Sequence, residues 1–221
     1  MANSSFIELL PDERGLGPTT RIARVGANPA YDDDIIRFAL RPNPRYLASL
    51  AQYPDDPTRM PSVRAVILRG ALDDELFLVG KFIKPNLCFE MYTVEHSPLL
   101  AGGEVDPSFD HFGLAWYLGR LEASENGVLS ANLRAILLDQ FFGFDRGVRL
   151  APTGTFHVGL WFGDPADVAP PCGLEVNRAP SMDGEQRGGP LALITVPVDA
   201  TGLGPLCTHP STWVSLANCF P

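Results

Sequence analysis

Positive charge is scarce in this chain, and lysine is nearly missing. The 221 residues include 17 Lys or Arg against 26 Asp or Glu, which gives a formal net charge of −9 at pH 7. The only lysines are Lys81 and Lys84, and no run of basic residues occurs. A protein of this charge repels phosphate backbones and anionic lipid surfaces. We therefore expect neither nucleic acid nor membrane among its partners.

Long apolar runs are also missing. Residues 1–10 lack the basic start and the continuous apolar core of a signal peptide. No window of the chain approaches the roughly 20 apolar residues of a membrane-spanning helix. We expect a cytoplasmic protein, and the alternative is an exported protein whose signal segment has been removed.

Cysteine and histidine are few, and the chain has four of each. No Cys-x-x-Cys pair, His-Glu-x-x-His, P-loop, glycine-rich dinucleotide fingerprint or nucleophile elbow occurs. No set of three or four potential ligands has workable spacing, so the sequence predicts no metal and no cofactor. Cys207 and Cys219 flank a coil-like segment that a disulfide between them would close. Two free thiols are the alternative in a reducing compartment.

The composition and pattern that are present indicate a globular β protein. Hydrophobic residues make up 45% of the chain and charged residues 19%, which excludes a disordered chain. Short apolar runs separated by turn residues cover 63–68, 76–83, 87–94, 111–121, 127–135, 155–163 and 191–196. Such spacing favours a mainly antiparallel β-sandwich or flattened barrel over a parallel sheet. We assign this β domain, with a long C-terminal coil, to residues 63–221.

Residues 1–62 are rich in Pro, Asp and Arg and show little alternation, so we expect an N-terminal extension packed on the domain. Within it, Asn43 and Pro44 suit the start of a short helix that runs to Tyr53. A helical turn is also predicted over 136–142, because Gly143 suits a helix stop. The chain should thus contain one or two short helices.

Two stretches share a two-faced strand pattern, His111 to Gly119 and Phe156 to Gly163. Alternate side chains of a strand point to opposite faces. The apolar faces are Phe112, Leu114, Trp116 and Leu118 in the first, and Phe156, Val158, Leu160 and Phe162 in the second. We expect these two sets to be buried together in one core.

The opposite faces of both stretches combine imidazoles and aromatic rings with glycines. Glycine in a strand indicates close approach by a ligand, a loop or another backbone. We predict a site with His157 as acid/base and with His111, Tyr117 and Trp161 as ligand-binding residues. The alternative is structural, with His157 donating to a backbone carbonyl and the aromatic rings packed under a covering loop.

The run from Val63 to Gly173 resembles a β-sandwich of the copper/zinc superoxide dismutase or CHRD type. The resemblance rests on Phe156-His157-Val158, followed by Gly163-Asp164 and then by Cys172. It implies a sandwich fold for about half of the chain. It does not imply the metal-dependent activity, because Gly159 stands where the second histidine of the ligand pair belongs. The chain also resembles uncharacterised actinobacterial β proteins, which implies no function.

Two hypotheses on function follow. The first is a cofactor-independent enzyme of bacterial secondary metabolism, such as a cyclase, isomerase or lyase, that binds an apolar small molecule in a pocket of the sandwich or barrel. The second is a binding or structural β module without catalysis, exported or part of an assembly. Both leave an oligomer open.

Overall fold

Antiparallel pairing joins eight strands of this protein into a nearly closed barrel. The structure is a computed structural model, and it describes residues 30–32, 35–68, 74–113, 115–135, 142–144, 150–152, 155–168, 189–197 and 206–207. The order around the barrel is β6 (Ala115–Glu122), β5 (Cys88–Val94), β10 (Thr155–Phe162), β11 (Leu191–Thr195), β2 (Ile35–Pro42), β3 (Ser62–Leu68), β4 (Asp74–Lys81) and β7 (Leu129–Ala135). The mainly β class predicted from the sequence is confirmed.

Four shorter strands complete the described structure. Strand β1 (Ala30–Asp32) pairs with β2, and β12 (Leu206–Cys207) pairs with the start of β10. Strands β8 (Phe142–Phe144) and β9 (Leu150–Pro152) form a separate pair, and the backbone of β8 lies close to β6. Residues 136–141 of the predicted helical turn lie outside the described residues, and Phe142 belongs to β8.

Residues 35–62, which the sequence assigned to the N-terminal extension, supply part of the barrel wall. Strand β2 lies between β3 and β11 and pairs with both. A 3₁₀ turn, Pro44–Tyr46, and a one-turn helix, α1 (Leu47–Leu50), follow it. The Asn43 side chain accepts a hydrogen bond from the Arg45 N–H at 3.1 Å, as expected of an N-cap. The helix predicted here is present and shorter than expected.

Helix α1 closes one end of the barrel. Tyr46 and Leu50 are buried in the core, and the Lys84 N–H donates to the Leu50 carbonyl at 2.7 Å. The turn after β4 also bonds to the turn between β6 and β7, because the Ile83 N–H donates to the Gly127 carbonyl at 3.2 Å. Backbone hydrogen bonds therefore join several elements at this end. We call it the closed end.

The core fills the barrel interior, as is usual for eight-stranded barrels. The predicted core face of β10 is confirmed, because Phe156, Val158, Leu160 and Phe162 are all buried in one cluster with Phe38, Leu78, Phe89 and Met91. Burying a leucine or phenylalanine side chain stabilises the fold by roughly 1.5–3 kcal/mol. The interior of β10 therefore carries a large share of the packing.

The matching prediction for the first stretch is wrong. The strand begins at Ala115, Phe112 lies in a loop and packs outside the barrel, and Trp116 is 53% exposed. Leu118 packs only partly against the core, and Leu114 lies outside the described residues. The physical reason is the position of β6 at one end of the strand order, which leaves its interior-facing side chains with fewer neighbours than those of β10.

Two further expectations concern the C-terminal region. Cys207 lies in β12, whereas Cys219 lies outside the described residues, so the disulfide stays a prediction. Most of the predicted long coil also lies outside them. In the described part of the chain, no helix is long and apolar enough to span a membrane.

Candidate functional site

The face of β10 that points away from the core carries a cluster of aromatic rings. Trp161 contacts Tyr92 and Phe112 edge to face, with ring centroids 5.3 and 5.0 Å apart. Tyr92 in turn contacts Tyr117 at 5.3 Å. We call this the outer cluster, and its other members are Val94, Leu99, Val105, Leu191, Ile194 and Val196.

The space beside Gly159, the glycine in the middle of this face, is filled by another side chain of the protein. A Cβ atom on Gly159 would lie 2.6 Å from Cζ3 of Trp161, which is shorter than any tolerable contact. The indole therefore lies across the space that the missing side chain leaves. The nearest neighbour of Gly159 is thus a side chain of its own strand, rather than the ligand, loop or second backbone considered from the sequence.

A loop covers the outer cluster. Leu99 and Val105 form a backbone bridge within it, and both pack on the cluster together with Phe112. The His96 N–H donates to the Phe112 carbonyl at 3.0 Å, and Nη1 of Arg41 donates to the Gly102 carbonyl at 3.1 Å. The structural alternative for the aromatic face, packing under a covering loop, is thus what the described residues adopt.

His157 is fully buried, at 0% exposure. Its Nδ1 lies 2.9 Å from the Thr195 carbonyl oxygen and 3.0 Å from Oγ1 of the same residue. Because a carbonyl oxygen only accepts, Nδ1 carries a proton and donates it to Thr195. The Val158 N–H also donates to this hydroxyl at 3.2 Å, so His157 and Thr195 tie β10 to the end of β11.

His111 lies apart from the strand, at the base of the covering loop. Its ring is exposed and meets the ring of His96 edge to face, with centroids 5.4 Å apart. Nδ1 of His111 accepts the Gly113 N–H at 3.1 Å, and Nε2 lies 3.4 Å from Oδ1 of Asp110. Gly113 has φ +71°, a conformation that favours glycine. These contacts shape a turn at the surface.

Tyr117 links the outer cluster to a polar pair on β5 and β6. Glu90 lies directly opposite Arg120, with Oε1 and Nε 3.9 Å apart, and the Tyr117 phenol donates to Glu90. Burial, together with the hydrogen bond to Glu90, raises the pKa of Tyr117 from its usual value of 10 to about 12. Tyr117 is therefore a neutral donor at physiological pH.

The four predicted site residues thus fall into three environments. Tyr117 and Trp161 both contact Tyr92 in the outer cluster. His157 shares the outer face of β10 with Trp161, four residues away, and is held by Thr195. His111 lies at the loop base beside His96. Among the described residues, no three His, Cys, Asp or Glu side chains are grouped so that they could hold a metal ion.

The sequence did not predict a second region of interest, the gap between β6 and β7. We call this gap the seam. These strands are the two ends of the strand order. In the described part of the chain, a backbone bridge joins Ala123, which follows β6, to Leu129, the first residue of β7, at the closed end. Register places the interior-facing residues along it: Trp116, Leu118, Gly119 and Leu121 from β6, and Leu129, Ala131 and Leu133 from β7.

The interior-facing side chains are buried at one end of the seam and more exposed toward the other. Leu129 and Leu121, next to the bridge, are 0% and 8% exposed. Leu118, Ala131 and Leu133 are half-buried, and Trp116, farthest from the bridge, is 53% exposed. Within the described residues, the seam is therefore bridged at one end and less covered toward the other, where the interior-facing Trp116 meets solvent.

A bulge in β6 shapes the open part of the seam. Met91 lies opposite Gly119 and Tyr92 opposite Tyr117, so that Leu118 is the extra residue and turns toward the core. Gly119 has φ +156°, and among the described residues the atom nearest to a Cβ placed there is Leu133 Cδ2, at 3.8 Å. A glycine between a leucine and an arginine is the one sequence signal of this irregularity.

No protein-family model, curated protein or solved structure matches this chain.

Proposed function

We propose that this protein is a small β-barrel that binds an apolar small molecule at the seam, without catalysis by His157. The observation that carries the proposal is the rise in exposure of interior-facing side chains, from Leu129 at 0% to Trp116 at 53%. A ligand placed there would remove apolar surface from water and extend the core at the open end.

The geometry of the histidines favours binding over catalysis. A general base must come within hydrogen-bond reach of the proton that it removes. His157 is fully buried, and its Nδ1 proton is already donated to Thr195. The alternative of a cyclase, isomerase or lyase of secondary metabolism that uses His157 stays a prediction, and its first requirement is a route for substrate to that imidazole.

The test compares two phenylalanine substitutions on β7. Ala131 faces the seam, whereas Asn132 is the next residue and faces solvent. Two neutral probes, the aromatic N-phenyl-1-naphthylamine and the aliphatic 1-decanol, are titrated by calorimetry into the wild type, Ala131→Phe and Asn132→Phe. We expect at least one probe to bind the wild type and Asn132→Phe and to bind Ala131→Phe at least about tenfold more weakly, because the added ring fills the seam.

Two outcomes contradict the proposal. One is a wild-type protein that binds neither probe. The other is equal binding by both variants, which would place the probe away from the seam. Circular dichroism of each variant establishes that the barrel is folded before the titration is interpreted.

A further inference from the structure

We infer that the loop over the outer cluster is a pH-sensitive cover, held at its base by the neutral ring of His111 and loosened when that ring takes up a proton. The loop leaves β5 at Glu95 and returns at Gly113, and the bond from the His96 N–H to the Phe112 carbonyl, at 3.0 Å, joins its two ends. The loop covers the outer face of the barrel, whereas the seam is lined by interior-facing residues. The test of this cover therefore does not depend on the ligand proposed for the seam.

The hydrogen bond at the base of the loop requires a neutral imidazole. Nδ1 of His111 accepts the Gly113 N–H at 3.1 Å, so Nδ1 carries a lone pair and the ring proton is on Nε2. Nε2 lies 3.4 Å from Oδ1 of Asp110. A further proton can add to the ring only at Nδ1, where it removes the lone pair that accepts the Gly113 N–H. Protonation of His111 and this hydrogen bond therefore exclude each other.

Other turns of the protein use the same bond with a different acceptor. In the described part of the chain, a side-chain oxygen accepts the backbone N–H two residues later at Asn43, Asp56, Asp106 and Asp164. Amide and carboxylate oxygens keep their lone pairs at pH 5, whereas histidine changes its charge between pH 5 and 8. Among these turns, the one at His111 is therefore the one that responds to pH in this range.

The turn at His111 also positions the ring that covers Trp161. Phe112 lies between His111 and Gly113, and its ring centroid is 5.0 Å from that of Trp161. Gly113 has φ +71°, and a Cβ placed there would clash with the side chain of Glu95. The backbone thus follows a path that glycine adopts readily and that the bond to His111 helps to hold. Loss of this bond frees Phe112 to leave Trp161.

Three titratable side chains of the described residues surround the turn, those of Asp110, Glu95 and His96. The two carboxylates favour proton uptake by His111, because an opposite charge nearby stabilises an imidazolium. The side chains of His111 and Asp110 are 66% and 84% exposed, and an ion pair this exposed contributes too little to replace the lost bond. Protonation of His96 would add repulsion, since the two ring centroids are 5.4 Å apart. The surrounding charges therefore favour loosening of the loop at acid pH.

The experiment measures hydrogen exchange of the His96 and Gly113 amides by NMR at pH 5 and pH 7.5. The protection of each amide is its exchange rate in an unstructured peptide at the same pH divided by its rate in the protein. We expect both protections to fall by roughly 2- to 10-fold from pH 7.5 to pH 5 in the wild type, which is the effect of losing one hydrogen bond. In His111→Asn they should change by less than about twofold, because the Asn oxygen accepts the Gly113 N–H and is not protonated.

The matched control is His96→Asn, which removes the second imidazole of the pair and keeps the bond between His111 and Gly113. Its protections should still fall by at least about twofold at pH 5. Equal protection of the wild type at both pH values, or a fall in His111→Asn as large as that in the wild type, would overturn the role of His111. Loss of the effect in His96→Asn would assign it to repulsion between the rings and would also overturn that role. Wild-type dispersion of the amide signals establishes that each variant is folded.

Discussion

Strands β10 and β6 carry a similar alternation of glycines, aromatic rings and aliphatic side chains, but their side chains are buried to different extents. Strand β10 lies between β5 and β11 and also pairs with β12, and every side chain from Phe156 to Phe162 is buried. Strand β6 ends the strand order, and its side chains range from buried Leu121 to exposed Trp116. The comparison teaches that the number of neighbouring strands, rather than the local pattern, decides how completely a strand is covered.

The two faces of β6 also exchange their expected roles near its start. Trp116 faces the interior and is exposed, whereas Tyr117 faces outward and packs on Tyr92 in the outer cluster. A loop covers the outer face, and the open seam uncovers the inner one. The alternation along β6 therefore predicted that Trp116 faces the interior, but the structure around the strand decided that it is exposed.

The largest expected difference between the two strands is in stability. Leu160→Ala on β10 should lower the free energy of unfolding by about 2–5 kcal/mol, because a fully buried side chain leaves a cavity. Leu118→Ala on β6 should cost less than about 2 kcal/mol, because its side chain is only half-buried. Denaturant unfolding of both variants measures the difference. Equal losses would mean that the two strands are covered alike.

The second comparison concerns the two histidines that the sequence placed in one site. His157→Ala should cost about 1–3 kcal/mol of unfolding free energy, since it removes the imidazole N–H that donates to the buried Thr195 carbonyl. His111→Ala, at the exposed loop base, should stay within about 0.5 kcal/mol. Thermal and denaturant unfolding check both values.

A conservative variant sharpens this test. His157→Asn retains a donor near the position of Nδ1 and should recover part of the stability lost in His157→Ala. A His157→Ala protein of unchanged stability that no longer binds the probe would instead return His157 to the functional site.

The smallest expected effect is a pH dependence from the outer face of β6. Folding raises the pKa of Tyr117 to about 12, above the value of about 10 for an unfolded phenol. The neutral phenol is the form that the fold favours, so its stabilisation is fully present below pH 10 and is lost as the pH rises through 12. Ultraviolet titration of phenolate should find one tyrosine that ionises near 12 in the native protein and not in Tyr117→Phe. Ionisation of every native tyrosine near 10 would contradict the packing described for this face.

The sequence predicted the structure well where a pattern within a single strand or helix is sufficient to identify it. Alternation identified most of the barrel strands, and the pair Asn43 and Pro44 identified the start of a helix. The apolar face of β10 was predicted residue by residue. Strand β2 was missed because Arg37 and Arg41 interrupt its apolar residues and resemble the arginine-rich segment before it.

The amino-acid sequence by itself determined the β class, the core face of β10 and the presence of glycines that demand close approach, because these follow from side-chain alternation and from the size of single residues. Only the tertiary structure decided what fills the space at Gly159, that His157 bonds to Thr195, and that Trp116 reaches solvent. Each of these depends on which strand or loop lies next to the residue. Such neighbours come from distant parts of the chain, and no local pattern in the sequence specifies them.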